Sequence, residues 1–286
     1  MIIANPIYDS VFKYLMEDNR VARLVISTII GEEVVELEMR PQERAARLSE
    51  MPVSVFRIDF AAIVRTTAGE MKNVLIEIQK AKYLDDIMRF RKYLGEQYMR
   101  LDNVRGPAGP VTIALPIVAI YILGFQLDNI EAEAVRVNRS YYDAITGEEL
   151  HVKNEFIERL SHDAYVIQVP RLKPRRRNRL EALLSVFDQR YRKESDRYVL
   201  DLQEELPPEI EPVVKRLERA AMDSEIRATL EMADAYDGLM SGMDRALAEK
   251  DAALAEKDAA LAEKEAALAE QERLIAELRR KLGESE

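Results

Sequence analysis

The stretch Val53–Gln79, VSVFRIDFAAIVRTTAGEMKNVLIEIQ, decides how the chain is read. From Val53 to Val64 its period is two. Phe56, Ile58, Phe60, Ala62 and Val64 fall on one face of a strand, and Val55, Arg57, Asp59 and Ala61 on the other. Thr66-Thr67-Ala68-Gly69-Glu70 is turn chemistry, and Val74–Gln79 is a second strand ending in Glu77-Ile78-Gln79. The two runs form a hairpin. With a register symmetric about Ala68, paired residue numbers sum to 136, which sets Asp59 opposite Glu77 and Arg57 opposite Gln79. Carboxylates in opposed positions, with Cβ atoms roughly 4.5–5.5 Å apart, repel one another. A divalent cation removes that repulsion, and Mg²⁺ or Mn²⁺ takes such carboxylates together with waters and substrate phosphate. The same pair also suits a solvated hairpin face on which Arg57 neutralises Glu77.

On the N-terminal side of the hairpin, Asn5-Pro6 opens a helical segment with Val11, Phe12, Leu15, Val21, Leu24, Val25 and Thr28 at helical spacing. On the C-terminal side, Lys80–Leu101 reads as a helix with the stripe Ile87, Phe90, Leu94, Tyr98 and Leu101. Gly106–Pro110 stops it. Val111–Phe125 is then apolar almost throughout, the pattern of a strand covered on both faces. With Pro116 inside it, this run falls short of the roughly 20 residues of a membrane span. Asn154–Leu160 predicts a short helix, Ala164–Val169 a strand, and Pro174–Arg192 a basic helix with Leu180, Leu183, Leu184 and Phe187 inward. Strands interleaved with helices predict an α/β fold, a mixed sheet flanked by helices.

Beyond Pro207-Pro208 the chain reads as helical and acidic to about Asp244. Leu247, Leu254, Leu261, Leu268, Ile275 and Leu282 then recur every seven residues, with AALAEKD copied nearly intact. Alanines 248, 252, 255, 259, 262, 266 and 269 accompany them. The expected organisation is a domain over residues 1–195, an acidic helical connector over 196–243, and a heptad helix over 244–286. That last helix is read as a coiled coil joining copies into a homo-oligomer, or as a lone charged helix.

The net charge of −10 argues against a nucleic-acid partner until its distribution is read. Residues 1–200 carry 30 basic against 29 acidic side chains, so the acidity lies in the C-terminal third. Basic residues gather at Lys80–Arg105 and Arg171–Lys193, and Arg175, Arg176, Arg177 and Arg179 are the candidates for tracking a DNA backbone. There is no cysteine, which excludes disulfides, thiolate zinc sites and cysteine nucleophiles. Neither histidine sits in a metal-ligand spacing, and no phosphate-cradling glycine motif occurs. With no basic stretch leading into an apolar one near Met1, a soluble cytoplasmic protein without membrane contact is expected.

Taken in order, NPIYDSVFKYLM, FRIDFAA, VLIEIQ, RFRKYLGEQY, LPIVAIYILGF, TGEEL, NEFIERLSHDAYVIQVP and LLSVFDQ resemble the bacterial recombination-promoting nuclease (Rpn) and PD-(D/E)xK nuclease family transposase proteins, over roughly residues 5–190. The resemblance implies a restriction-endonuclease-like core and Mg²⁺-dependent cleavage of DNA linked to recombination or mobile elements. It implies Asp59 and Glu77 as metal ligands, the Ile78 carbonyl as a third, and Gln79 in the place usually held by lysine. Asp9, Lys80, Arg89 and Tyr93 would be accessory. Each also has a structural reading: Asp9 as a helix-start acid, Arg89 paired to Asp85 or Asp86, Tyr93 as packing. The alternative is an inactive nuclease-fold scaffold that binds a partner through its helical tail.

Overall fold

The computed structural model describes residues 1–40, 43–45, 55–57, 60–80, 86–106, 109–203, 206–281 and 283, with most of their side chains. The chain starts with strand β1 (Ile2–Ala4), then helices α1 (Asp9–Met16) and α2 (Asn19–Ile30). The expected helical opening is built from two helices. Glu17 ends the first, and Asp18 caps the second, its carboxylate accepting from the amides of Arg20 and Val21 at 2.9 and 3.2 Å. Gly31, at φ 72°, closes α2 in the left-handed conformation that glycine adopts without strain.

Four strands follow: β2 (Val34–Met39), β3 (Glu43–Ala45), β4 (Val55–Arg57) and β5 (Phe60–Thr66). β5 turns through Thr67-Ala68-Gly69 into β6 (Met71–Gln79), and Gly69 has φ 80°. A three-residue loop with glycine in that position is a favoured hairpin connection. It fixes the register symmetric about Ala68: Phe60 pairs with Ile76, Ala61 with Leu75, and so on to Arg65 with Met71.

Helix α3 (Asp86–Tyr98) leads to the hairpin β7 (Asp102–Gly106) and β8 (Gly109–Ile113), then to β9 (Ile117–Leu123). The apolar run 111–125 is therefore two strands in two different sheets. Pro116 separates them: it has no amide to donate into a ladder, though its carbonyl accepts from the Asn73 amide at 2.8 Å. β10 (Ala134–Val137), a small hairpin of β11 (Tyr141–Tyr142) and β12 (Glu149–Leu150), helix α4 (Glu155–Leu160) and β13 (His162–Gln168) complete the middle of the chain. Asn154 caps α4, its side-chain oxygen accepting from the amides of Phe156 and Ile157. The basic segment 174–192 is helical only over α5 (Arg179–Leu184), followed by two single 3-10 turns. Leu183, Leu184 and Phe187 are buried as expected.

Among the described residues the central sheet runs β10-β13-β9-β6-β5-β2, with β6, β9 and β13 mutually parallel and the outer strands antiparallel. The fold is α/β with a six-stranded mixed sheet. One face carries Phe60, Ala62, Val64, Val74, Ile76, Ile78, Val118, Ile120, Ile122 and Ile167 into the main core, with α1, α2 and α5. The opposite face is narrower. Ala61, Leu75 and Ile117 meet Tyr93 of α3, and Ile63 and Leu115 meet Val104 of β7.

The compact unit ends at Leu230, beyond the boundary expected at residue 195. Strands β14 (Arg192–Lys193) and β15 (Asp196–Asp201) form a second small sheet in which β15 pairs with β1. Helix α6 (Glu211–Met222) buries Val213, Val214, Leu217 and Ala220 in the main core. Much of the expected connector is thus core structure. Helix α7 (Ser224–Lys281) carries the heptad repeat, and Glu231–Glu286 forms the second unit. There Leu254, Leu261, Leu268 and Ile275 are 51–58% exposed. Among the described residues no helix is long and apolar enough to cross a membrane.

Candidate functional site at the end of the central hairpin

Strand alternation sends Asn73, Leu75, Glu77 and Gln79 of β6 to the narrow face, away from the main core. Glu77 and Gln79 lie at the C-terminal end of the strand and are 7% and 5% exposed. A buried carboxylate is costly unless charge and hydrogen-bonding groups answer it. Its neighbours on the adjacent parallel strand and on α3 are largely aromatic. Tyr121 of β9 stands in register with Glu77, and Phe90 of α3 covers Tyr121 with ring centroids 5.2 Å apart. Among the described residues the gap at Glu77 measures about 20 Å³, room for one water, with Tyr93 and Leu94 also lining it.

Tyr121 reports the electrostatics of this pocket. Its phenol is pushed up to about 12, first by burial, then by the Glu77 carboxylate, and last by the neighbouring Tyr98 hydroxyl. Next along α3, the Tyr98 hydroxyl lies 2.7 Å from Nδ1 of His162, and burial together with Arg139 pulls the histidine below its usual value, opposed by Asp163. Neither tyrosine is recognisable as a site residue from the sequence alone. Only the parallel register of β6 with β9 brings Tyr121 beside Glu77, and a local period cannot show that pairing.

The end of β6 is held by a close backbone approach. The Gly124 amide donates to the Gln79 carbonyl at 2.7 Å, and a Cβ on Gly124 would lie 2.2 Å from the Lys80 carbonyl oxygen. Only glycine fits. Lys80 is exposed, with its ammonium 4.4 Å above the Tyr8 ring.

Asp59, the partner expected for Glu77, lies outside the described residues. So does the side chain of Arg89, although α3 includes that position. Tyr93 is buried against Ala61, Leu75 and Ile117 and packs the narrow face. Asp9 is the first residue of α1 and pairs with Lys13 one turn on at 2.7 Å. The Arg175 guanidinium bonds Glu133 and Glu181, and Arg177 reaches Glu181 at 3.0 Å. Hydrogen bonds from Arg177 bring the Glu181 carboxyl down to about 2. Arg176 is half-buried and Arg179 is exposed at the start of α5. These arginines therefore do not present four uncommitted charges side by side.

A cleft of about 980 Å³ opens at the opposite end of the parallel strands, near Ile117 and Asp163. Its charges answer one another: Lys72 with Glu32 at 2.6 Å, and Arg139 with Glu158 at 2.8 Å and Asp163 at 3.0 Å. Volume alone does not place chemistry there, and the Glu77 end is the better candidate. Among the described residues, no three histidine or acidic side chains gather as a metal cluster.

Comparison of the chain with protein-family models, with curated proteins and with solved structures finds no match.

Proposed function

We propose that the chain is a divalent-metal-dependent DNA endonuclease built on a restriction-endonuclease-like core, with Asp59, Glu77 and Gln79 at its centre. The observation that carries this reading is the burial of Glu77 and Gln79 side by side at the C-terminal end of a central strand. The hairpin register from Phe60–Ile76 to Arg65–Met71, symmetric about Ala68, supports the pairing of Asp59 with Glu77. Oxygen donors of this kind fit a hard cation: the Glu77 and Asp59 carboxylates and the Ile78 carbonyl would hold Mg²⁺ or Mn²⁺. Such an ion, when bound, lowers the pKa of water and polarises a phosphodiester. Gln79 carries no charge, so its amide orients water or phosphate by hydrogen bonding. Lys80, one residue beyond, supplies the nearby positive charge. Tyr121 and Phe90 narrow the space on the inner side of the carboxylate to room for a single water.

The test is cleavage of supercoiled plasmid by the purified chain with Mg²⁺ or Mn²⁺, beside Glu77→Ala and an EDTA control. Nicking or linearisation lost in both controls supports the nuclease; no cleavage by folded wild type with either metal removes it. A second reading, an inactive nuclease-fold scaffold, draws on Gln79 in place of lysine and on the carboxylate partners of Arg175 and Arg177. Metal separates the two: Mg²⁺ or Mn²⁺ raises the melting temperature of the enzyme but not of its Asp59→Ala variant, because ligand binding to the folded state stabilises it. In the first reading the heptad helix joins copies of the chain; in the second it binds the scaffold's partner.

A further inference from the structure

We infer that α7 pairs with a second copy of itself antiparallel, in a register where facing residue numbers sum to 515. The inference rests on the self-association just proposed and adds its direction.

Within residues 249–265 the charges come in triplets, Glu249-Lys250-Asp251, Glu256-Lys257-Asp258 and Glu263-Lys264-Glu265. The triplets lie at least five residues apart, so no opposite charges meet three or four residues on, where they would support an isolated helix. The leucine stripe is exposed as well, Leu254, Leu261 and Leu268 each by 57–58%. A stretch like 249–265, with no opposite charges three or four residues apart and an exposed apolar stripe, is completed by a partner.

Charge chooses the direction of a second copy. Parallel and in register, every lysine faces a lysine and every acid an acid. Turned antiparallel with a sum of 515, Lys250 faces Glu265, Lys257 faces Asp258, Lys264 faces Asp251 and Arg245 faces Glu270. The same register sets Leu254 level with Leu261 and Leu247 level with Leu268. Sliding by seven residues preserves the repeat's pairings, and the ends distinguish the alternatives. Residues 273–281 carry a net +3, and the sum of 515 lays them over residues 234–242, which hold Asp234 and Asp237 and no basic side chain. One step of seven either way brings Arg227 or Arg245 under the basic end instead.

The absence of cysteine makes the test direct in the full chain. Met240→Cys and Ile275→Cys lie on the heptad stripe and sum to 515. Mixed and oxidised, the two variants form a heterodisulfide, while Ile275→Cys alone forms none. A homodisulfide of Ile275→Cys means parallel helices and overturns the direction while keeping the pairing. A monomeric mass with no cross-link in any mixture overturns the pairing itself, and neither result bears on plasmid cleavage. Reversing Lys250, Lys257 and Lys264 to glutamate removes six exposed pairs across the twofold axis and weakens dimerisation by roughly tenfold or more. Unchanged dimerisation in that variant refutes the charge argument, and circular dichroism confirms that its helix is intact.

Discussion

Gly124→Ala is the sharpest probe of how the candidate site is held. The added methyl group would sit 2.2 Å from the Lys80 carbonyl oxygen, 2.9 Å from its carbon and 3.0 Å from Lys80 Cα, all of them backbone. No rotamer change relieves such a contact. The ends of β6 and β9 must separate by on the order of 1 Å, and overpacking of this kind costs about 1–3 kcal/mol. The Gly124–Gln79 hydrogen bond, 2.7 Å, is stretched with it, a net loss of about 0.5–1.5 kcal/mol. The stiffer unfolded chain of the alanine variant offsets about 0.4–1 kcal/mol. A net loss of about 1–3 kcal/mol lowers the melting temperature of a unit this size by roughly 3–10 °C. Gly95→Ala provides the opposite sign. Gly95 lies inside α3 with nothing within 4 Å of a built Cβ, so alanine gains about 0.5–1 kcal/mol there through helix propensity. Thermal denaturation followed by circular dichroism measures both. If Gly124→Ala melts at or above wild type, the close approach of Lys80 to β9 is wrong. In the proposed enzyme, Gly124→Ala also weakens metal-induced stabilisation, because Gln79 moves, and Gly95→Ala leaves it unchanged.

Three further outcomes follow from the same geometry. Spectrophotometric titration finds Tyr121 ionising near 12, and Glu77→Gln moves it down toward the normal value; an unmoved titration removes Glu77 as a charge beside Tyr121. Gln168→Ala costs about 2–4 kcal/mol, because this fully buried amide accepts from Leu127 N at 2.6 Å and donates to the carbonyls of Ile130 and Ala132, leaving three backbone groups to be answered; a loss below half a kcal/mol in urea denaturation contradicts it. For His162 the folded pKa is below 6.5, so the unfolded chain binds the proton first as pH falls. Its contribution is therefore whole above about pH 6.5 and shrinks as pH drops toward the depressed value. His162→Gln flattens the stability profile in that window, and an identical slope in both proteins rules out this linkage.

The hairpin was the most legible part of the fold, because its information is local. A strict period of two, a glycine at the required turn position and a second apolar run fix both faces and the register from Phe60 to Met71. The short helix after Asn154 was legible for the same reason. What escaped the sequence depends on distant chain. The run 111–125 hides a change of sheet, since hydrophobicity is equally high on either side of Pro116. In α3 the stripe included Ile87 and Leu101, yet these are 63% and 64% exposed while Phe90, Tyr93 and Leu94 line the sheet. The narrow face accepts one short helical surface, and periodicity alone extends the stripe too far. At the site, Glu77 and Gln79 could be singled out from the hairpin. Tyr121 and Gly124 could not, because their relation to β6 exists only through parallel pairing.

The three residues of β1 pair with β15, Ile2 opposite Asp201, Ile3 opposite Leu200 and Ala4 opposite Val199. Helix α6 then covers β1 and α1 from the same side of the core. During synthesis, therefore, the first strand waits for a partner made almost two hundred residues later. Until α6 emerges, the apolar faces of α1 and α2 have no lid, and a nascent chain of that length is a client for chaperones. Joining segments so far apart carries a high contact order and slows folding. Truncation between residues 195 and 222 should accordingly yield aggregation instead of a smaller folded domain, and a cut after Leu230 is the shortest that respects the way the unit closes on itself.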